Sequence, residues 1–194
     1  MSTCSDDEVG AAALPNLAAE LLHRQDADQR ARTALIQFVR QRQSKGQQRL
    51  AVSADKSQAM DEVVHIDQAN TQWLKIVVQR HGWPGQSLVG RHGAAAAWLL
   101  VQHADHDPSF QRRCLDLMAT MPTGEVEPHH IAYLTDRVLL AEGALQLYGT
   151  QLQQVAGVYQ PSNLANADSV DQRRASVGLE PLAEYLRRFL DGYT

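Results

Sequence analysis

Several polar side chains that could carry acid–base chemistry fall within one stretch of the sequence. His103 closes an apolar helical run, and Asp105 follows two residues later. Asp136 and Tyr148 come next, in the segments YLTDR and QLYGTQ. Buried polar groups must find hydrogen-bond partners, so such a group forms either a structural network or a functional site.

His103 is the strongest candidate for proton transfer. It lies at the predicted carboxyl end of the apolar helix, where the helix dipole and a nearby carboxylate favour a charged imidazole. His103 could therefore act as a general acid or base near neutral pH. A core histidine bonded to a carbonyl, or a helix cap, is the structural alternative. Asp105 is the better-placed carboxylate to orient His103, provided that the helix ends at Ala104.

Two further segments supply candidate residues. Asp136 and Arg137 lie within a predicted helix, where Asp is unfavourable unless something specific holds it. An ion pair between Asp136 and an arginine is the plain alternative. QLYGTQ is predicted as a strand that places Tyr148 on one face and Gln151 on the other. Tyr148 could donate a proton or bind a substrate carbonyl, and a polar edge strand is the alternative.

Other kinds of site lack their sequence signatures. The histidines show neither HExxH nor i, i+4 spacing, and no CxxC pair occurs. GWPGQSLVG has no GxGxxG and no Walker lysine, and Ser87 lacks the GxSxG elbow. We predict no cofactor, and a metal or haem bound by His103 is a third possibility. HGWPG is predicted as a rigid turn in which Trp83 covers part of the core or a pocket rim.

The bulk composition indicates one mostly helical domain. The chain has 194 residues, of which 44% are hydrophobic, enough for a core. Its net charge of −4 argues against a nucleic-acid partner. No stretch approaches the ~18 apolar residues of a membrane span, and the acidic start is not a signal peptide. Cys4 and Cys114 do not make a disulfide framework. We therefore expect a cytoplasmic protein with a small-molecule ligand and neither a membrane nor a nucleic acid as partner; the oligomeric state stays open.

The predicted fold is mainly α, a single-domain helical bundle with one small β-hairpin near the C-terminal third. Residues 1–13 are predicted as a flexible tail and 14–194 as the domain. Met60, Val63, Val64, Leu74 and Val77 are predicted on the buried side of the second helix. Asp107-Pro108 and Gly143 mark helix ends, and Ala156-Gly157 marks the hairpin turn. The helices are predicted at 14 to about 43 (one helix or a pair), about 59–80, 93–104, 108–119, 128 to about 143, 168–177 and 181–190.

Five ordered motifs resemble the bacterial family called domain of unknown function 6624. They are HGWPGQSLVG, AAWLLVQHADHDPSFQRRCLDLM, GEVEPHHIAYLTDRVLLAEG, QLYGTQ and VDQRRASVGLEPLAEY. The resemblance covers roughly residues 60–185, and the earlier helix with DQRAR is similar to the family's N-terminal part. It implies no established reaction. By resemblance, the family's signature positions fall on Asp67, Asn70, Trp83, Pro84, Gln102, His103, Asp105, Asp136, Arg137, Tyr148, Gln151 and Arg173.

The chain departs from the family pattern at two places. Ala165, Asn166 and Ala167 stand where the family usually has an acidic-Asp-Pro segment. His92 stands where an acidic residue is more usual. If the missing Asp acts as an acid, a base or a ligand in the family, this protein would be specialised or altered in activity.

The sequence favours a small-molecule enzyme that uses metal-independent acid–base chemistry, such as hydrolysis, elimination or cyclisation, in bacterial specialised metabolism. A non-catalytic binding or interaction protein is the alternative, with the polar cluster as a structural network and the hairpin edge as a docking site. A metal- or haem-binding enzyme using His103 is the third. The expected catalytic residues are His103, Asp105, Asp136 and Tyr148, and the expected substrate-binding residues are Trp83, Gln102, Arg137 and Gln151.

Overall fold

The computed structural model describes residues 14–44 and 54–190. The predicted tail, residues 1–13, lies outside the described residues. The described residues confirm the mainly α fold with one small hairpin. The elements are α1 (Pro15–Ser44), α2 (Ala54–His81), α3 (Gln86–Gln102), α4 (Pro108–Ala119), α5 (Pro128–Ala141), β1 (Leu152–Val155), β2 (Val158–Pro161), a 3-10 turn (Ala167–Ser169), α6 (Val170–Ser176) and α7 (Leu182–Leu190).

The central helix is α3, which contacts α1, α2, α4 and α5. Its run of alanines lets neighbouring helices approach closely, and a Cβ on Gly93 would lie 3.6 Å from Ala18 Cα of α1. The two helices run parallel, because Leu14 N donates to Leu88 O near both starts, at 2.8 Å. Ala96, Ala97, Leu100 and Val101 are almost fully buried in the core that results.

Helices α1 and α2 continue beyond the end of α3. His103, just after α3, lies 2.8 Å from Asp28, which is near the middle of α1. From Arg32 to Ser44, α1 extends about 18 Å further at ~1.5 Å per residue. Residues 33–44 and 54–66 are called the α1–α2 extension below. The end of α3 therefore lies beside a helical pair that projects past it.

The extension corrects the predicted buried side of α2. Val63, Leu74 and Val77 are buried as predicted, whereas Met60 and Val64 are exposed. Both lie in the α1–α2 extension, on the flank of the helix next to Val63, which stays buried in the same stretch. The helix also begins at Ala54, earlier than predicted.

Glycine and proline positions define several boundaries as predicted. HGWPG forms the turn between α2 and α3, and the Asp107 side chain caps α4 by accepting from Phe110 N at 3.0 Å. The hairpin turns at Ala156-Gly157, with Val155 paired to Val158. The central helix begins at Gln86 rather than Gly93, with an internal break at Gly90, whose φ of 71° suits only glycine.

The segment QLYGTQ is a loop, so the strand prediction there was wrong. Its one ladder contact is an isolated bridge from Gln146 to Leu164, and β1 begins after the segment, at Leu152. The carboxylate of Asp136 on α5 accepts hydrogen bonds from backbone N–H groups of this segment. In a sheet, carbonyl groups of a neighbouring strand would accept those bonds. Among the described helices, none combines the length and the apolar character that a membrane span requires.

Candidate functional site

Three helices bring four charged or ionisable side chains together at the end of α3. We call Asp28, Arg32, Asp67 and His103 the His103 cluster. His103 Nδ1 lies 2.8 Å from Asp28 Oδ1, and Arg32 Nη2 donates to both oxygens of Asp67 at 2.6 and 2.8 Å. Arg32 Nε lies 3.2 Å from Asp28 Oδ1. Each side chain therefore contacts at least one group of opposite or complementary polarity.

Helix geometry explains why these residues meet. Asp28 and Arg32 are four residues apart on α1, so they share one face. Asp67 lies near the middle of α2, which runs antiparallel to α1. His103 is the C-cap residue of α3, with φ −92° and ψ 5°, so its side chain lies at the end of the helix rather than along its side. Only 1% of Asp28 is exposed, against 18% of the His103 side chain.

The electrostatics of the cluster favour an ionised Asp28. Burial alone would raise the pKa of this carboxyl, but the hydrogen bond and charge of His103, together with Arg32, outweigh burial and lower it. For Asp67, burial outweighs the contribution of Arg32, and the pKa is raised. The contacts of Asp28, the carboxylate beside the imidazole, therefore favour its ionised form more strongly than the contacts of Asp67 favour that of Asp67.

The contacts of His103 Nδ1 fix its hydrogen. Nδ1 lies 2.8 Å from a carboxylate oxygen of Asp28 and 3.1 Å from Arg32 Nε. The arginine nitrogen is only a donor and the carboxylate only an acceptor, so one ring nitrogen cannot serve both. We assign a hydrogen to Nδ1, which donates to the buried Asp28, while Arg32 Nε donates to the same oxygen. In the neutral form of the ring the other nitrogen, Nε2, then carries the lone pair, and no described residue donates to it.

The same cluster contains the atoms that could hold a cation. One ligand-type atom each from Asp28, Asp67 and His103 lie within 4.8 Å of one another, the only such group in the described ranges. In this arrangement the guanidinium of Arg32 lies among them and supplies the positive charge. A metal ion would require Arg32 to move away.

A second polar group occupies the other side of the α3 end. We call Gln102, Asp105, Gln111 and Arg137 the Arg137 cluster. Arg137 Nε donates to Gln102 Oε1 at 2.9 Å, and Arg137 Nη1 donates to both oxygens of Asp105 at 2.7 Å. Gln111 Nε2 donates to the carbonyls of Val101 and Gln102 and to Asp105. This cluster joins the end of α3 to α4 and α5.

Asp136 anchors the loop that follows α5. It is fully buried, and its oxygens accept from Leu147 N, Tyr148 N and Thr150 N at 2.7 to 3.2 Å. The Thr150 hydroxyl donates a further bond at 3.0 Å. A carboxylate in the interior of a helix is thus explained by four donors from one loop, and its contacts are structural.

Side chains from α6 and α7 bind the carbonyls of the same loop. Arg173 Nε donates to Leu147 O at 2.6 Å, and Arg174 Nη1 donates to Tyr148 O at 2.7 Å. The Tyr185 hydroxyl donates to Thr150 O at 3.0 Å. Gln146 closes the loop by accepting from Gln151 N and donating to Gln151 O and Ser162 O. Backbone groups on both edges of residues 146–151 are therefore held by side chains.

The structure separates the sequence-predicted site into distinct places. Asp105 pairs with Arg137 rather than with His103, so the expected His103–Asp105 contact was wrong. Asp136 pairs with no arginine in the part of the chain that the structure describes, and it contacts Tyr148 through the backbone N–H. Gln151 Nε2 donates to the neighbouring Thr150 hydroxyl within the same loop. Trp83 is buried near the start of α3, at the opposite end of that helix from His103.

Sequence reasoning missed Asp28 and Arg32 and reached Asp67 only through the family resemblance. A signal was present in QDADQRAR, residues 25–32 in the polar middle of α1, where Asp28 and Arg32 stand four residues apart. However, an aspartate and an arginine four residues apart are equally typical of a solvent-exposed helix face. The partner across the bundle could not be read from spacing alone.

The fold and the two clusters define a helical bundle with a polar junction at the end of its central helix. Comparison with family models identifies it: the chain belongs to the family described as "Family of unknown function (DUF6624)", whose model matches residues 15–194. Comparisons with curated proteins and with solved structures gave no match. The match extends the resemblance into α1, which carries Asp28 and Arg32.

Proposed function

We propose that this protein is a small-molecule enzyme that uses acid–base chemistry without a metal, with His103 as the group that transfers the proton. The reaction class is a hydrolysis, an elimination or a cyclisation. The observation that carries the proposal is the 2.8 Å contact between His103 Nδ1 and Asp28, which is almost fully buried. A buried carboxylate that fixes one imidazole nitrogen leaves the other free to accept or donate a proton.

Asp28 is the positioning residue in this proposal, in place of Asp105. Its carboxylate orients the ring and stabilises the imidazolium that forms when Nε2 takes a proton. Arg32 is held by Asp67 and also donates to Asp28, so Asp28 stays ionised when the imidazole is neutral. The proton taken from the substrate is later returned from Nε2 to the product.

The site for the substrate lies where α3 ends beside the α1–α2 extension. The His103 side chain is partly exposed there, so a substrate can reach it. We propose that the activity belongs to bacterial specialised metabolism in the cytoplasm. The buried, unpaired Cys114 is compatible with a compartment that keeps thiols reduced.

The test uses a bacterial metabolite extract and untargeted mass spectrometry. Wild type, His103→Asn, Asp28→Asn and His106→Asn are each incubated with the extract after dialysis against EDTA. His106 is exposed and three residues from His103, so His106→Asn is the matched control. We expect compounds that wild type and His106→Asn deplete equally, with rates reduced about 10²- to 10⁴-fold in His103→Asn. Equal depletion by His103→Asn would overturn the proposal, as would activity that EDTA abolishes.

One observation favours a second candidate, a non-catalytic protein. The His103 cluster connects three helices through contacts among its own members, as a structural network does. In that case Asp28→Asn and His103→Asn lower the free energy of unfolding, and wild type depletes no compound in the extract. Urea unfolding of the same four proteins separates the two outcomes.

A further inference from the structure

The guanidinium of Arg137 is only partly used by the protein. Its Nε donates to Gln102, and its Nη1 donates to both oxygens of Asp105. No described residue accepts a hydrogen bond from Nη2, and 26% of the side chain is exposed. Arginine commonly binds a carboxylate through two parallel N–H bonds. Asp105 occupies one nitrogen of this group and leaves the adjacent one open.

The pair of Arg112 with Glu142 shows the difference. Arg112 Nε donates to Oε1 at 2.8 Å and Nη2 donates to Oε2 at 2.5 Å. Two nitrogens thus meet two oxygens, and the fork is complete. Each pair joins an arginine of one helix to a carboxylate just beyond the end of a neighbouring helix, so Arg112 and Glu142 provide a matched control.

Gln102 supplies a second donor that lacks an acceptor. It is 4% exposed, and Arg137 Nε fixes its orientation by donating to Oε1. The amide nitrogen Nε2 is then buried without a hydrogen-bond partner in the described part of the chain. Buried donors almost always have an acceptor. An oxygen from outside the described chain would satisfy this one.

We propose that Gln102 and Arg137 form a subsite for the carboxylate of a small molecule. One ligand oxygen accepts from Arg137 Nη2 and the other from Gln102 Nε2. Asp105, whose side chain is 63% exposed, keeps Arg137 Nη1, so its carboxylate lies beside the bound ligand as a like charge. The inference rests on the proposed function in one respect: Gln102 directly precedes His103 in the chain, and we assign the carboxylate to the substrate of that residue.

The charges around the junction favour a carboxylate over a phosphate. Asp28, Asp67 and Asp105 all lie at the end of α3, and only Arg32 and Arg137 oppose them within the two clusters. A dianion would meet more repulsion than a monoanion in this field. We therefore expect the subsite to bind a singly charged, planar carboxylate that matches the guanidinium fork.

The test is a titration of the full chain with acetate, followed by ¹⁵N NMR of the Gln102 side-chain amide. We expect a saturable shift that inorganic phosphate reproduces only weakly. Arg137→Gln and Arg137→Lys should each weaken acetate binding about tenfold, the second because it keeps the charge but loses the fork. Asp105→Asn should tighten binding up to about fivefold, because it removes a negative charge beside the ligand. The matched changes Arg112→Gln and Glu142→Gln should leave binding unchanged.

Three results would overturn the subsite: no saturable shift at Gln102, tighter binding of phosphate than of acetate, or no effect of Asp105→Asn. Acetate binding needs no turnover, so its outcome is separate from that of the proposed function. If the protein binds acetate here but depletes no metabolite, the subsite is supported and the proposed enzymatic function is contradicted. If the protein turns over a compound that has no carboxylate, the enzymatic function is supported and the subsite alone is contradicted.

Discussion

Asp136 illustrates how far a single residue could be interpreted from sequence. An aspartate inside a helix predicted that something specific holds it, which the structure bears out. Its partners were not predictable, because they are backbone N–H groups of a loop that begins about ten residues later. Likewise His103 was identified as a candidate from its place at a helix end, while its contact with Asp28 depends on a separation of 75 residues.

Replacing Asp136 with Asn should destabilise the fold strongly. The amide keeps one oxygen but turns an N–H₂ group towards donors, so at least two of the loop N–H groups lose a charged acceptor. Hydrogen bonds to charged groups contribute roughly 1.5–3 kcal/mol each, so we expect a loss of about 3 kcal/mol or more in urea unfolding. Asp116→Asn, at a carboxylate that is mostly exposed, is the control and should change stability little. A loss below about 1 kcal/mol for Asp136→Asn would contradict the anchoring role.

His130 should make the fold sensitive to pH. Burial, with a contribution from His129, lowers the pKa of His130 from 6.5 to about 4. The ring stacks on Trp98 with centroids 4.0 Å apart. Because the folded state disfavours the protonated ring, stability from this residue is complete above the unfolded pKa. It is lost as the pH falls from about 6.5 towards 4, by at most about 3 kcal/mol.

The measurement is the free energy of unfolding of wild type and His130→Phe between pH 7.5 and pH 4.5. Phenylalanine keeps a ring against Trp98 and cannot be protonated, so its curve should fall less steeply over this range. His106→Asn should follow the wild-type curve. Parallel curves for wild type and His130→Phe would show that the buried imidazole is not the source of the pH dependence.

Helices and turns were predictable where local chemistry decides them. Asp107-Pro108 and Ala156-Gly157 act within a few residues of themselves, so the start of α4 and the hairpin turn were correct. The segment 146–151 was mistaken for a strand because alternation of side chains cannot reveal that a carboxylate will bind its N–H groups. The exposed positions of α2 were missed for a related reason. Whether a helical position is covered depends on where the neighbouring helices lie around it, which the spacing of apolar residues does not show.

At the scale of the whole molecule, neighbouring helices cover the two halves of α1 unequally. Its first half lies against both α2 and α3, whereas the part that belongs to the α1–α2 extension has passed the end of α3. Amide groups of residues 33–41 should therefore exchange hydrogen faster than those of residues 18–28 in the same helix, by about tenfold or more. Hydrogen-exchange mass spectrometry checks this, with residues 94–101 of α3 as the protected reference. Uniform protection along α1 would mean that the extension is covered in solution.

The contacts within the His103 cluster also constrain how these positions can change in evolution. Arg32 serves two carboxylates, and a family member that lost it would keep Asp28 and Asp67 close together with nothing to neutralise them. Substitutions at 28, 32, 67 and 103 should therefore be inherited together, as one unit of covariation drawn from three helices. Exposed neighbours such as His106 should vary independently of that unit.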